Sequence, residues 1–457
     1  MTFEVQRQTR PSRWWQALTG QWESCLEHLD ERPGRSAARG GPESGRVQSM
    51  DHQQDGWSAF AGVDWGGEHH QLCIVDAAGR RLTQLRVAHD VAGLADLDAE
   101  LARFAARMPI AIERSEGLLV EHLQATGHAV FPVSPRISAR ARERYKVASV
   151  KDDRFDAFVL ADTLRHEHDH WRVLPVPSPL LAEIKALTRD RDRLLETQQA
   201  VEAQLRMIME AYHPAPVHLF SSMDRKISLA FIMDYPTPAN AGRIKATRMG
   251  GFLQRNRYTG RQSAHVLADT MRAHLLTGSP GTVAGKSFSA KSFAQLLDLL
   301  NAQLADYDDA IASAVAEHPD AAIFASFPGV GPVLTAVLLA EIGEDRDRYP
   351  TPQVLLAEAG LAPVTRASGR SRSVRFRYAA NTRLREAAQW WAFNSLKTSP
   401  WAHAAFREAR DQRGQHYHRA LRGLGARWMR IAWHCWQTNS TYDPAKHGSA
   451  AKLSTAA

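Results

Sequence analysis

The chain carries a pair of carboxylates in residues 151–162, a stretch whose apolar residues recur with helical periodicity. Asp153 and Asp156 are three residues apart, so on a helix they are surface neighbours with Cβ atoms roughly 5–6 Å apart. Two carboxylates placed in this way can converge on one divalent cation or on an adjacent pair. A simpler interpretation is that acids in the first turn of a helix stabilise its dipole. The upstream chain helps to decide between the two.

Two further acids stand at the ends of predicted strands. Residues 59–67 indicate a short buried strand that carries Asp64 near its end and stops at a pair of glycines. Residues 109–113 repeat the arrangement with Glu113. Both acids therefore sit where a strand gives way to a loop, which is a common position for a functional side chain.

The elements around these acids follow the order three strands, helix, strand, helix, strand and helices. This order is typical of an RNase H-like domain, an α/β fold whose mixed sheet brings the ends of the first and fourth strands together. In that fold Asp64, Glu113, Asp153 and Asp156 meet at one place. Beyond the strands at 59–67 and 109–113, the prediction gives strands at 70–75, 81–87 and 129–133, and helices at 91–107, 117–126 and from Pro135.

With these residues the chain resembles a known family. Residues 63–66, 112–114 and 151–157 together look like the DEDD constellation in the RuvC-like domain of one group of transposases. That group is the IS-one-ten (IS110) and IS-eleven-eleven insertion-sequence recombinases. The resemblance runs from about residue 59 to about residue 438. It implies that the four acids are catalytic and hold the metal.

The composition agrees with a polyanionic partner. The 457 residues carry a formal net charge of +8, which favours association with nucleic acid but says nothing about the fold. The three cysteines are far apart and predict neither a disulfide framework nor a zinc cluster, so we expect a reducing cytoplasm. Because no apolar run approaches roughly 18 residues, we expect no membrane partner.

Residues 1–56 fit none of the predicted elements. Residues 32–46 are rich in Gly, Arg, Ser and Pro, a composition typical of disordered segments. This extension is either a basic arm that binds nucleic acid or sequence upstream of the true start, for which Met50 is well placed. We favour the second interpretation.

Two heptad patterns flank the middle of the chain and predict an inserted antiparallel coiled-coil arm. Between them, residues 213–290 predict a helical cap with several basic residues and aromatic neighbours. Arg255 and Arg257 are candidates there for nucleic-acid contact, although a solvated basic face is an equal alternative. The first seam is Leu180, Ile184, Leu187, Arg191, Leu194, Gln198, Val201, Leu205 and Ile208, and the second is Leu297, Leu300, Leu304, Tyr307, Ile311 and Ala314.

The last third of the chain predicts a mostly helical domain with a basic segment. Gly329 and Gly331 form a turn before a helix, which resembles half of a helix-hairpin-helix and could hold a DNA phosphate. From Arg366 to Arg385 there are seven arginines and no acid, so this segment needs phosphates or solvent. The arginines taken as nucleic-acid contacts are Arg366, Arg370, Arg372, Arg375 and Arg377.

The family resemblance implies a role for one serine in this segment. Residues 360–363 followed by Ser368 and Gly369 look like the element that presents a nucleophilic serine, although Ser371 and Ser373 are nearby competitors. The whole chain is then predicted as an extension (1–56), a RuvC-like catalytic domain (57–175), a coiled-coil arm with its cap (176–318), a C-terminal transposase domain (319–440) and a tail (441–457).

These features predict a transposase that cleaves and exchanges DNA strands. Carboxylate ligands suit Mg²⁺, and a serine hydroxyl needs activation before it attacks. The resemblance further implies a phosphoserine intermediate, donor and target DNA chosen by a bridge RNA, and a dimer of dimers acting in the bacterial cytoplasm at the nucleoid. The alternatives are a Holliday-junction-resolvase-like nuclease that uses water and a non-catalytic nucleic-acid-binding protein.

Overall fold

The computed structural model describes residues 56–145, 152–369 and 371–446. The predictions for the N-terminal extension before residue 56, for Arg370 and for the tail beyond residue 446 lie outside these residues. The chain divides into two compact units between Val176 and Pro177, here called the N-terminal and C-terminal units. In the parts that the structure describes, no helix combines the length and apolarity that crossing a bilayer requires.

The N-terminal unit is an α/β fold built on one mixed sheet. Its strands are β1 (Ala59–Asp64), β2 (His69–Asp76), β3 (Arg81–Ala88), β4 (Pro109–Ile112) and β5 (Ala129–Pro132). Its helices are α1 (Val91–Ala102), α2 (Leu118–Ala125), α3 (Pro135–Glu143) and α4 (Asp153–Glu167). The predicted order of elements is confirmed.

The sheet has five strands in the order β3-β2-β1-β4-β5. β1 is antiparallel to β2 and parallel to β4, and Val63 pairs with Ile112. Asp64 and the residue after Ile112, Glu113, therefore leave neighbouring strands at the same edge, as predicted. α1 ends earlier than the predicted residue 107, because the Met108 carbonyl already accepts a hydrogen bond from Ala129 N at 2.9 Å and the chain needs the intervening residues to turn back.

Gly62 allows α4 to cross β1 at very short range. A Cβ atom at Gly62 would lie 2.2 Å from the Ala157 carbonyl oxygen and 2.4 Å from Ala161 N, so no other residue fits without moving the helix. The apolar side chains of α4, including Phe155 and Phe158, are buried against the sheet. This contact fixes the first turn of α4, and with it Asp156, beside the end of β1.

The C-terminal unit begins with two long helices that enclose a group of short ones. The long helices are α5 (Pro179–Tyr212) and α11 (Pro280–Glu317). The short helices between them are α6 (Ala215–Leu219), α7 (Lys226–Asp234), α8 (Pro238–Ala241), α9 (Ala246–Arg255) and α10 (Ala264–Ala273).

Polar pairs show that α5 and α11 lie side by side and antiparallel. Arg191 Nε donates to Asp308 Oδ1 at 2.5 Å, and Gln198 Nε2 donates to Asn301 Oδ1 at 3.1 Å. As the residue number rises along α5 it falls along α11. Arg191 and Gln198, the two polar positions of the first predicted seam, therefore have partners within the same chain.

The rest of the C-terminal unit packs around buried tryptophans. Trp391 and Trp428 stack with ring centroids 5.4 Å apart. Tyr442, placed by the sequence in a tail without a role, stacks on Phe327 at 4.8 Å, so the packed domain extends at least to this residue. The elements are α12 (Ala321–Ala325), α13 (Pro332–Ile342), α14 (Pro352–Glu358), β6 (Val364–Ser368), β7 (Ser371–Arg375), α15 (Thr382–Thr398), α16 (Pro400–Arg407) and α17 (Tyr417–Gln437).

Candidate active site

The negative charges of three of the predicted acids act on the fourth, Asp64, at the edge of the N-terminal sheet. The pKa of Asp64 is raised to about 6, first by burial and then by the negative charges of Asp156, Asp153 and Glu113. Like charges raise a carboxyl pKa appreciably only when they are close. The structure thus brings the acids from β1, β4 and α4 into one cluster, here called the acidic cluster.

The position of Asp156 distinguishes a site from a simple helix start. Asp152 is the N-cap of α4, and its carboxylate accepts a hydrogen bond from Arg154 N at 3.1 Å. Asp153 is exposed, whereas Asp156 is only 6% exposed. Interaction with the helix dipole does not require burial. An unpaired buried carboxylate destabilises the folded state, so the burial of Asp156 requires a specific partner.

That partner is Arg142 of α3. Arg142 Nε lies 2.7 Å from Asp156 Oδ1, an ion pair without the alignment of a good hydrogen bond, and Arg142 Nη2 lies 3.4 Å from Glu113 Oε1. The Ser138 hydroxyl, one turn earlier on α3, also donates to Glu113 Oε1. Burial raises the pKa of Asp156, and the positive charge of Arg142 opposes that rise. Arg142 is therefore the positive centre of the acidic cluster.

The donor chemistry of the acidic cluster fits a divalent cation. Four carboxylates offer hard oxygen ligands, and among the described residues the one cation that forms an ion pair with any of them, Arg142, reaches only Glu113 and Asp156. Within residues 56–145, 152–369 and 371–446, no three His, Cys, Asp or Glu side chains are gathered closely enough to enclose a metal ion. Arg142 lies between two of the candidate ligands instead.

Sequence reasoning missed the residues that surround the acids. Arg142 and Ser138 are four residues apart on α3, a spacing that places both on the face toward Glu113. Trp65 and Arg114 follow Asp64 and Glu113 directly, and the Arg114 guanidinium carbon lies 3.9 Å from the centre of the Trp65 ring. The sequence signal for Trp65 and Arg114 was that each directly follows an acid at the end of a strand. The register between β1 and β4 was needed to interpret that signal.

Asp64 makes the stability of the metal-free protein depend on pH. Its pKa is about 6 in the folded chain against an ordinary value of 3.8, so between these values the folded state binds more protons. The free energy of unfolding then falls as pH rises; this stabilisation is fully present below about pH 4 and is lost through pH 6. We expect the Tm to fall between about pH 4.5 and 7 by a few degrees more in wild type than in Asp64→Asn. Parallel Tm profiles in thermal denaturation would contradict this assignment.

Ser368 lies in the C-terminal unit, at the tip of the hairpin formed by β6 and β7. It pairs directly with Ser371, and Gly369 adopts φ +53° in the intervening turn. Ser368 is exposed, and in the described part of the chain its hydroxyl makes no hydrogen bond. The hairpin thus exposes the Ser368 hydroxyl, and none of the hairpin residues that the structure describes donates or accepts a hydrogen bond that could activate it.

The hairpin arginines fall on both of its faces. Cross-strand pairing puts Val364, Arg366, Ser368, Ser371, Ser373 and Arg375 on one face, and Thr365, Ala367, Arg372 and Val374 on the other. Arg366 and Arg375 therefore share the face of Ser368. These two and Arg372 are exposed and form no ion pair with another described residue. Arg377 instead donates from Nε to the Ala362 carbonyl at 3.1 Å.

The remaining predicted nucleic-acid contacts have mixed surroundings. At Gly329 (φ +80°) a Cβ atom would lie 2.7 Å from Ser395 N, so this glycine is required by packing against α15. Gly331 is exposed at the start of α13 and has open space around it. Arg255 lies 4.0 Å from Asp234, and Arg257 follows α9 at φ 48°, a conformation that few non-glycine residues adopt.

Two family models match the chain. Residues 61–214 match the DEDD transposase model of IS110, and residues 321–407 match the transposase model of the IS116/IS110/IS902 family. The first range contains all four members of the acidic cluster, and the second contains Ser368.

Relatives extend the similarity over most of the chain. A protein named as the mini-circle transposase for IS117 of Streptomyces coelicolor is 36% identical and covers 85% of this chain and 96% of its own. The 42 kDa protein of insertion element IS900 from Mycobacterium paratuberculosis is 28% identical, with coverages of 86% and 99%. The 44.8 kDa protein of IS116 from Streptomyces clavuligerus is 28% identical, with coverages of 84% and 96%. On its motifs, its fold and these near full-length similarities, the chain belongs to the IS110 family of transposases, enzymes that cleave and recombine DNA.

Proposed function

We propose that this transposase cleaves and exchanges DNA strands with Ser368 as nucleophile and with Mg²⁺ held by Asp64, Glu113, Asp153 and Asp156. The observation that carries the proposal is the convergence of the four carboxylates at the edge of a mixed sheet, where the pKa of Asp64 is raised to about 6. Such perturbed groups mark functional sites. We take the N-terminal unit as RNase H-like and the pair α5 and α11 as a coiled-coil arm.

The proposed reaction is a transesterification. The Ser368 oxygen forms a bond to the scissile phosphorus, the bond from that phosphorus to one sugar oxygen breaks, and the serine proton passes to the leaving sugar hydroxyl through the site. A divalent ion bound at the acidic cluster would stabilise the charge on the attacking and leaving oxygens. The phosphodiester energy is kept in the phosphoserine. A second sugar hydroxyl then forms a bond to that phosphorus, the bond to the Ser368 oxygen breaks, and the proton of the attacking hydroxyl passes to Ser368.

The proposal requires Ser368 to reach an acidic cluster. A serine hydroxyl is a weak nucleophile until a base or metal activates it, and the described residues around Ser368 provide neither. We therefore propose that the hairpin of one protomer supplies Ser368 to the acidic cluster of another, within a dimer of dimers. Incubating the protein with Mg²⁺ and DNA that carries the element's ends should yield a protein–DNA adduct that survives denaturation.

Family membership also supports the proposal that donor and target DNA are chosen by a bridge RNA. The exposed Arg255 and the hairpin arginines offer phosphate contacts for either nucleic acid. Sequencing the RNA that co-purifies with the protein tests this step, and recovery of random cellular RNA alone would contradict it. The proposed site of action is the bacterial cytoplasm, at the nucleoid.

The hairpin arginines should set the salt dependence of DNA binding. Replacing Arg366, Arg372 and Arg375 by Ala removes three exposed cations. Each lost phosphate contact lowers the slope of log K against log salt by about 0.9, so the triple variant should lose about 2.7 and bind all sequences more weakly. The matched control is Arg413→Ala, because Arg413 is paired with Glu408 at 2.5 Å. A triple variant with the control's slope would place the hairpin away from DNA.

A further inference from the structure

Arg142 occupies the centre of the acidic cluster without any role in the proposed chemistry. It reaches two carboxylates from different elements, Asp156 of α4 at 2.7 Å and Glu113 after β4 at 3.4 Å. Its position is fixed by α3, whose N-cap Ser134 accepts a hydrogen bond from Arg136 N at 3.4 Å and whose Ser138 holds the same Glu113 oxygen. The arginine is thus built into the site by the fold.

The charges explain why a cation is held there. Asp156 is almost fully buried, and an unpaired buried carboxylate strongly destabilises a fold. A guanidinium stays protonated throughout the accessible pH range, so it offers the four acids a constant positive charge. Among the described residues, Arg142 alone forms ion pairs with these acids, and it reaches two of the four, Glu113 and Asp156.

The same oxygens are the candidate metal ligands. A divalent cation coordinated by Glu113 and Asp156 would need the carboxylate lone pairs that face Arg142. The metal ion and the guanidinium would also repel each other if both bound the same carboxylates. The Arg142 side chain is 38% exposed, so it has a route out of the cluster while its helix stays in place. Arginine also binds phosphate oxygens in a two-pronged contact, which gives the displaced side chain a partner when DNA is present.

We propose that Arg142 is a built-in counter-cation that competes with the divalent metal for Glu113 and Asp156 and must leave these carboxylates before the site is loaded. The inference rests on the proposed metal dependence. By pairing with the carboxylates, Arg142 stabilises the site in the absence of metal and lowers its affinity for metal. A DNA phosphate that takes up Arg142 then raises metal affinity, so metal and DNA bind cooperatively.

The test is Mn²⁺ binding to the full-length protein without DNA, followed by the electron paramagnetic resonance of free Mn²⁺. Arg142→Gln keeps N–H donors but removes the charge. Arg140→Gln is the matched control, because Arg140 lies on the same helix, is exposed and forms no ion pair with a described residue. We expect Arg142→Gln to bind Mn²⁺ about tenfold more tightly or better, since a charge within ~4–6 Å shifts such equilibria by 1–3 powers of ten. Arg140→Gln should match wild type.

The outcomes separate this inference from the proposed function. If wild type binds Mn²⁺ in a way that Asp64→Asn abolishes, but Arg142→Gln binds no more tightly, Arg142 only positions the carboxylates and the inference is wrong. If neither wild type nor Arg142→Gln binds Mn²⁺, the inference is overturned together with the metal site. If Arg142→Gln fails to fold, Arg142→Lys can be used instead, because lysine keeps the positive charge but its shorter side chain lacks the guanidinium that reaches both carboxylates. This variant should still bind Mn²⁺ more tightly than wild type. Equal affinity would overturn the proposal.

The cooperativity gives a second readout on the same variants. Adding duplex DNA should tighten Mn²⁺ binding in wild type and in Arg140→Gln, because phosphate draws Arg142 away from the carboxylates. Arg142→Gln should show a smaller gain, since nothing remains to be displaced. An equal gain in all three proteins would show that DNA contributes metal ligands without moving Arg142, and the inference would fail.

Discussion

Asp64→Asn should abolish strand cleavage in Mg²⁺, while its DNA affinity measured without divalent metal stays unchanged or rises. The substitution keeps the size of the side chain and removes one negative charge from the edge of the sheet. We expect a loss of about a thousandfold or more, the upper range for removing one stabilising group from an active site. DNA binding in the absence of divalent metal should not weaken, because the lost carboxylate repels the phosphate backbone. Cleavage of labelled DNA and equilibrium binding measure the two effects separately.

Asp152→Asn is the control for this prediction. Asp152 lies next to Asp153 and caps α4 through Arg154 N, but it is exposed and is not among the charges with the largest effect on Asp64. Asparagine caps helices as well as aspartate does, so this variant should fold and cleave like wild type. Normal cleavage by Asp64→Asn in Mg²⁺ would remove Asp64 from the metal site. A defect of the same size in Asp152→Asn would show that any lost acid in this region impairs the enzyme.

The sequence allowed the sheet and the acidic cluster to be predicted because both depend on local patterns. Buried strands that stop at glycine or an acid, and a helix that begins with acids, are visible without a structure. The parallel pairing of β1 with β4 follows from the order of elements, and it puts Asp64 beside Glu113. The close crossing at Gly62 completes the cluster. Its sequence signal is one glycine among many, so it could not be singled out.

The surroundings of the acids depend on tertiary contacts and were not predicted. Nothing in residues 135–143 distinguishes Arg142 from Arg140, yet only Arg142 reaches Asp156 and Glu113. Gly329 illustrates the opposite case. Its turn suggested a phosphate contact, but the structure gives it a packing reason against Ser395. Short motifs thus identify residues whose side chains can take part in chemistry, and the packing of distant segments decides which of them meet.

Ser368→Ala should retain binding to DNA and form no covalent protein–DNA adduct. The change removes one exposed hydroxyl that makes no hydrogen bond with another described residue, so stability should change by less than about 0.5 kcal/mol. Wild type should form an adduct that survives denaturation, and Asp64→Asn should not, because the nucleophile and its activating site act as a unit. The readout is a shifted band on a denaturing gel with labelled DNA.

Ser371→Ala is the matched control, because Ser371 is the direct cross-strand partner of Ser368 and lies on the same face of the hairpin. It should form the adduct as wild type does. An adduct that persists in Ser368→Ala but vanishes in Ser371→Ala would move the nucleophile to the second serine. If Ser368→Ala cleaves junction DNA as well as wild type and no adduct forms in either, water is the attacking group. The hypothesis of a resolvase-like nuclease would then replace the hypothesis of a serine recombinase.

Mixing Ser368→Ala with Asp64→Asn tests whether one catalytic site is built from two protomers. Each variant is inactive alone, but a mixed oligomer contains some sites that combine an intact acidic cluster with an intact Ser368. Partial recovery of cleavage is expected, with the adduct found only on the Asp64→Asn chain, since that chain alone still carries the serine. A tag of different mass on each variant identifies the modified chain. No recovery, despite proven exchange of subunits, would place both halves of the site in one chain, where Ser368 would have to reach the acidic cluster of its own protomer.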